Sequence, residues 1–260
     1  MDHVNLIKGG FSNCYFIIEK TAIIIVDIGS SKEVENIIRH ISSVRDLTSK
    51  EIDGSFPDQE RPVIIFSTHF HVDHIAGISY LLEKLPGAEV SFYKKVKDFL
   101  SRKEKICIPP VRAWFGNLPP VYLKLDRHIP STFEIKRDDR IGIPLPFLRN
   151  MVSVRYEIHH WIKDGDSIPH APDWKVLSTP GHTTDSACLW NEKENILISG
   201  DTILNMNGRG ELNRFCCNYS QIKGSFNDLK AHFSVGRLYP GHGSPITSGD
   251  NLLSEVKVWD

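Results

Sequence analysis

The stretch Thr68-His69-Phe70-His71-Val72-Asp73-His74 constrains this chain more than any other. It follows an apolar run, Val63-Ile64-Ile65-Phe66, and opens into Ile75-Ala76-Gly77-Ile78-Ser79-Tyr80-Leu81-Leu82. The first run reads as a short buried strand, the second as a helix with apolar residues at i, i+3, i+4 and i+7. Extended residues two apart point the same way, so His69 and His71 can close on one ion. Asp73 and His74, past the bend, can face a second ion beside it. Neutral imidazole and carboxylate are ligands that zinc, iron and manganese all accept. A His-rich surface turn is the bland alternative, and the density of donors directly after a buried strand weighs against it.

Four other strand ends repeat the arrangement. The apolar run Ala22 to Val26 stops at Asp27, and Trp174 to Ser178 leads into Thr179-Pro180-Gly181-His182-Thr183. Asn195 to Ser199 ends at Gly200-Asp201, and Arg237-Leu238-Tyr239 at Pro240-Gly241-His242-Gly243. In layered α/β architectures the loops at one end of the strands converge and ligands bind there. Each of these residues alone is a weak signal. Their repeated placement after strands carries the weight.

The rest of the chain fits around these ends. Val4 to Ile7 and Cys14 to Ile18 read as strands, and Ser31 as the cap of a helix with apolar face Val34, Ile37, Ile38 and Ile41. Residues 42–62 read as a long polar loop. Glu89 to Tyr93 is a strand, Lys94 to Arg102 a short helix, and Phe226 to Phe233 a helix. Between about 106 and 161 many prolines fall among aromatic residues, a texture that excludes a regular helix. This segment is expected to be an insertion folded over the core, with a strand or two around Val152 to Ile158, acting as lid, substrate wall or passive packing. No linker divides residues 1–260, so one domain is the simplest count.

With 260 residues, 40% hydrophobic and 24% charged, the chain has the composition of an ordinary globular protein. Its net charge of -1 gives no electrostatic footprint for nucleic acid or an anionic membrane. A small-molecule substrate is the expectation. The N-terminus shows neither the basic nor the long apolar region of a secretion signal, which makes the cytoplasm the expected compartment. The five cysteines (Cys14, Cys107, Cys188, Cys216, Cys217) are odd in number and lack a C-x-x-C spacing. All five are expected to be reduced and structural or incidental.

Taken in order, these motifs resemble the metallo-β-lactamase superfamily. His69, His71, Asp73 and His74 stand in its H-x-H-x-D-H motif, His182 in its third motif, Asp201 at its bridging carboxylate, and His242 at its last histidine. Asp27 matches an early Asp of the superfamily. The resemblance runs from about residue 5 to 246 and leaves the insertion unmatched. It implies a four-layer αββα sandwich with two mixed sheets face to face. It also implies two divalent metal ions, zinc first, with iron or manganese as alternatives. Metal one would take His69, His71 and His182; metal two would take Asp73, His74 and His242; Asp201 would bridge. The implied activity is hydrolysis, in which a bridging hydroxide attacks an ester, lactone or thioester of a small molecule. Asp73 would orient that hydroxide and pass its proton on. Asp27 would support a ligand from behind.

Within the superfamily the match narrows to the thioesterase and lactonase branches. The bridging position holds Asp201 where true β-lactamases have Cys. About 18 residues follow His242, too few for the C-terminal substrate region of hydroxyacylglutathione hydrolases. Leu204 stands where acyl-homoserine lactonases carry a Tyr. Alternatives are a mono-iron persulfide-dioxygenase-type enzyme and a phosphodiesterase. A flavodiiron protein would have Glu in place of His71. Arg209 and Arg214 are candidates for holding a substrate carboxylate or phosphate.

Overall fold

Two short apolar runs lie at the centre of the computed structural model, which describes residues 4–7, 12–51, 61–107 and 154–259. Strand β3 (Ile23–Val26) and strand β4 (Val63–Ser67) are buried along their whole length. Continuous burial requires cover on both faces, and this explains why these strands lack the alternation of a half-exposed sheet.

They sit inside a six-stranded mixed sheet in the order β1 (Val4–Ile7), β2 (Cys14–Ile18), β3, β4, β5 (Glu89–Tyr93), β6 (His160–Ile162). The first three strands pair antiparallel and the last four parallel. A second mixed sheet has the order β13 (Arg237–Pro240), β10 (Ile196–Gly200), β9 (Ala187–Asn191), β8 (Ala171–Ser178), β7 (Ser167–Ile168). A two-stranded ribbon, β11 (Ile203–Leu204) with β12 (Glu211–Leu212), follows β10.

Three apolar clusters define four layers. One, with Tyr15, Ile24, Phe66, Trp174, Val176 and Ile198, lies between the sheets. A second packs the outer face of the first sheet against α1 (Ser31–Glu51), α2 (Val72–Ile75), α3 (Ile78–Lys84) and α4 (Val96–Leu100). A third packs the second sheet against α5 (Tyr219–His232) and the turn Leu252–Ser254. This is the αββα sandwich expected from the sequence. Strands β8, β10 and β13 run in one direction, because β13 pairs parallel with β10 and two antiparallel steps separate β8 from β10. Their C-terminal ends therefore share one edge, as do those of β3 and β4. The two edges are joined where Ala187 N donates to Thr68 O (2.8 Å) and Asn13 N to Gly241 O (2.7 Å).

Several expectations need correction. Helix α1 runs to Glu51, about ten residues into the expected loop. No Pro or Gly interrupts 42–51, and Gly54 and Pro57 lie beyond it. Its start is built on Ser30, not Ser31: Glu33 Oε2 accepts from Gly29 N and Ser30 N, and Glu33 N donates to Ser30 Oγ at 3.4 Å. Such a reciprocal box satisfies backbone donors that a helix start leaves open. Residues 154–158 form no strand; β6 begins at His160, paired with Ser91 and fixed by His160 Nε2 to Glu89 at 2.6 Å. Helix α5 begins seven residues earlier than expected, where Asn218 Oδ1 accepts from Gln221 N. Most of the expected insertion, residues 108–153, lies outside the described residues. Among the described residues no helix is long and apolar enough to cross a membrane.

Candidate metal centre

All seven side chains marked as donors in the sequence meet at the shared edge. His69, His71 and His182 form one group, and Asp73, His74 and His242 another. Within each, one ligand atom per residue lies within 4.8 Å of the others. Asp201 lies between the groups: its Oδ2 is 3.5 Å from His182 Nε2 and 3.4 Å from His242 Nε2, and its Oδ1 is 3.5 Å from His74 Nε2. Asp73 Oδ2 is 3.4 Å from His242 Nε2 and 3.7 Å from His74 Nε2.

The local backbone explains this convergence. β4 ends at Ser67, the chain bends at Thr68 and His69, His71 is extended, and α2 then turns Asp73 and His74 back over the edge. His182 lies in the turn after β8, Asp201 directly follows β10, and His242 follows β13 by two residues. The approach of β13 to Asp201 demands glycine at 241, where a Cβ would run into the Asp201 carboxylate.

The outward-facing ring nitrogens fix which nitrogens point inward. His182 Nδ1 donates to Phe215 O (2.6 Å), His71 Nε2 to Cys107 O (3.3 Å) and His74 Nδ1 to Asp27 Oδ2 (2.8 Å). His69 Nδ1 lies 3.1 Å from Thr68 Oγ1, which itself donates to Asp27 Oδ2. With those protons turned outward, His69 Nε2, His71 Nδ1 and His182 Nε2 bring lone pairs together, 3.1 Å apart in two pairings. Converging lone pairs are unfavourable without a cation to share. Among the described residues, His74 Nε2 and Asp201 Oδ1 are likewise buried with no hydrogen-bond partner. The donor set thus fits two divalent ions, His69, His71 and His182 toward one, Asp73, His74 and His242 toward the other, and Asp201 within reach of both.

The two groups differ in charge. Burial, reinforced by neighbouring histidines, holds His69 well below its ordinary value, and burial takes His182 down to about 4. At His74 burial works the same way, but the carboxylates of Asp27, Asp73 and Asp201 outweigh it and push the ring up to about 9. Asp201 and Asp73 likewise overcome burial to raise His242. Against the opposing effect of burial, His74 and His242 hold the Asp73 carboxyl below its usual range, and His242 and His74 do the same for Asp201.

Asp27 stands behind His74 at φ 59°, a left-handed conformation uncommon for a residue other than glycine. Its two oxygens serve Thr68 N, Thr68 Oγ1 and His74 Nδ1. Three supports were missed. Asn213 donates to Asp201 O (2.9 Å) and accepts from Phe215 N, the residue whose carbonyl holds His182. Asp185 accepts from Phe70 N at 2.8 Å. The third corrects the reading of the cysteines: Cys107 and Cys217 form a disulfide, with Cα atoms 6.2 Å apart, while Cys14, Cys188 and Cys216 are free and buried. No sequence spacing announces this bridge, because its halves lie 110 residues apart and meet only at the site. Both halves touch the first group, Cys107 through its carbonyl to His71 and Cys217 N through the carbonyls of Gly181 and His182. Of the two candidate arginines, Arg209 is exposed beside Glu211 at 3.9 Å, and Arg214 stacks over Trp259.

A sandwich of this topology with this donor set at its edge defines a class, and comparison with known proteins agrees. The model of the metallo-beta-lactamase superfamily matches residues 7–242, and the chain belongs to that superfamily. A Beta-lactamase-like protein 2 homolog of Caenorhabditis elegans is 27% identical over 251 residues, 94% of this chain and 59% of that protein. A hydroxyacylglutathione hydrolase of Francisella philomiragia is 25% identical over 191 residues, 73% of this chain and 53% of that protein. The chain thus spans little more than half the length of these relatives. Among solved structures, the BLEG-1 B3 metallo-beta-lactamase superposes with a TM-score of 0.57 at 17% identity, covering 94% of this chain and 93% of that one.

Proposed function

We propose that this protein is a binuclear metal-dependent hydrolase acting on an ester, lactone or thioester of a small molecule. The observation that carries the reading is the pair of adjoining donor groups with Asp201 in reach of both. His69, His71 and His182 would hold one ion, Asp73, His74 and His242 the other. Divalent ions, zinc first, would supply Lewis acidity and water ionised near neutral pH. The chain's own part is positioning and proton handling. Asp73, partly open to solvent and held ionised by His74 and His242, orients the attacking water, accepts its proton and delivers it to the leaving oxygen or sulfur. Asp27 and the Phe215 carbonyl keep the rings of His74 and His182 in the orientation the ions require.

Support for a thioester or lactone substrate comes from the bridging aspartate and from the relative named as a hydroxyacylglutathione hydrolase. The test is metal analysis of pure protein together with a hydrolysis panel of ester, lactone, thioester and phosphodiester. Two equivalents of metal and turnover of one of the first three are expected. Less than one equivalent after metal-replete expression would end the proposal. Iron with oxygen uptake on a persulfide would move the protein to the dioxygenase branch.

A further inference from the structure

Asp185 stands three residues beyond His182, at the entry to β9, and is only 1% exposed. Its Oδ2 accepts from Phe70 N, the backbone N–H that lies between His69 and His71. Two residues further on, Ala187 N donates to Thr68 O. The loop that carries His182 therefore grips the loop that carries His69 and His71 on both sides of His69.

The grip alone does not call for a carboxylate. Any buried acceptor would satisfy one N–H, and a neutral one would avoid the cost of burying a charge. Asp185 Oδ1 is buried with no hydrogen-bond partner, and among the described residues no lysine or arginine pairs with the carboxylate. Burial pushes this carboxyl above its ordinary value, and the Thr183 hydroxyl and the His71 ring pull the other way. The first donor group meanwhile consists of three imidazoles and no carboxylate of its own. A divalent ion there would face only the share of Asp201 that points to it, with Asp27 reaching His69 indirectly through Thr68 Oγ1, whereas the second group has Asp73 of its own.

We propose that Asp185 is a positioning residue for the first ion, fixing the His69–His71 backbone through Phe70 N and supplying buried negative charge opposite the three imidazoles. This rests on the two-ion reading above and deepens it. It gives each ion a buried aspartate behind it: Asp27 against the ring of His74 for the second, and Asp185 against the backbone between His69 and His71 for the first.

The test is titration of the metal-free full chain with cobalt(II), followed by its visible spectrum, for wild type, Asp185→Asn and Asp185→Ala. Asparagine keeps an acceptor for Phe70 N and removes the charge; alanine removes both. Wild type should bind two equivalents. Asp185→Asn should bind one ion with wild-type affinity and the other about 10- to 100-fold more weakly, with an altered spectrum for that ion. Asp185→Ala should weaken the same ion further. Wild-type behaviour in Asp185→Asn, or equal weakening of both ions, would overturn the proposal. Carbon-13 labelling of aspartate in the zinc-loaded wild type gives a readout that survives a variant's failure to fold: Asp185 should be ionised, and a protonated Asp185 would overturn the proposal. A wild type that takes up no cobalt would overturn the two-ion reading and this proposal with it.

Discussion

The two donor groups occupy one sheet edge, yet they are prepared in opposite ways. In the group of His69, His71 and His182, burial lowers the proton affinity of His69 and His182, the carbonyls of Cys107 and Phe215 orient His71 and His182, and a disulfide and Asp185 back the loops. The group of Asp73, His74 and His242 is built from ion pairs, with carboxylates that raise the rings' affinity for protons. An imidazole that is already neutral is ready for a metal. One that carries a proton must give it up first. The contrast teaches that placement of aspartates, not the count of histidines, sets how the two groups differ in charge.

The comparison is broken most severely at Asp73, the one acid among the second group's three donors. Asp73→Ala should lower kcat by about 10²- to 10⁴-fold, read in steady-state hydrolysis; near-wild-type turnover would remove its proton-handling role. Next comes the disulfide that backs the first group. Closing a loop of 110 residues is worth about 4–5 kcal/mol in the chain-entropy model, and engineered cases often deliver less. The double variant Cys107→Ser with Cys217→Ser should therefore melt at a lower temperature and hold the first ion less firmly than the second. An unchanged Tm would mean that the bridge contributes nothing.

A smaller change sharpens the contrast from the other side. Asp27→Asn keeps an acceptor for Thr68 N and removes the charge facing His74, so the second ion should bind about 10- to 100-fold more weakly, with a smaller effect on the first, whose His69 meets Asp27 only through Thr68 Oγ1. Competition with a chelator would show it, and loss of the first ion instead would reverse the assignment. The smallest effect is in protons. With His74 pushed up to about 9 and His242 raised as well, uptake of the second ion at pH 7 should release up to two protons from its rings, more than uptake of the first. Calorimetry in buffers of different ionisation enthalpy measures the difference. The same shift has a sign for the metal-free chain. Because the folded value of His74 lies above the unfolded one of about 6.5, the pairing's stabilisation is complete below that pH and is lost as pH rises toward 9.

The sequence made the sandwich and the converging edge legible because both rest on short-range patterns. A continuous run such as Val63 to Ser67 has no exposed face, and a donor placed just past its end has to lie at the sheet's edge. Asp27 was legible for the same reason. What the sequence hid depends on contacts between distant segments. Cys107 and Cys217 look incidental until the fold brings them together. Asp185 reads as one more polar turn residue until it is seen to accept from Phe70 N, and Asn213 until it is seen between Asp201 and Phe215. The length of α1 is hidden because the residues after Ile41 have the polarity of a loop, although nothing there breaks a helix before Gly54.

The most direct measurement is anomalous scattering at the zinc edge from crystals of the zinc-loaded protein. Two peaks are predicted, one among His69, His71 and His182, the other among Asp73, His74 and His242, with Asp201 touching both. A single peak, or peaks away from these side chains, would contradict the account.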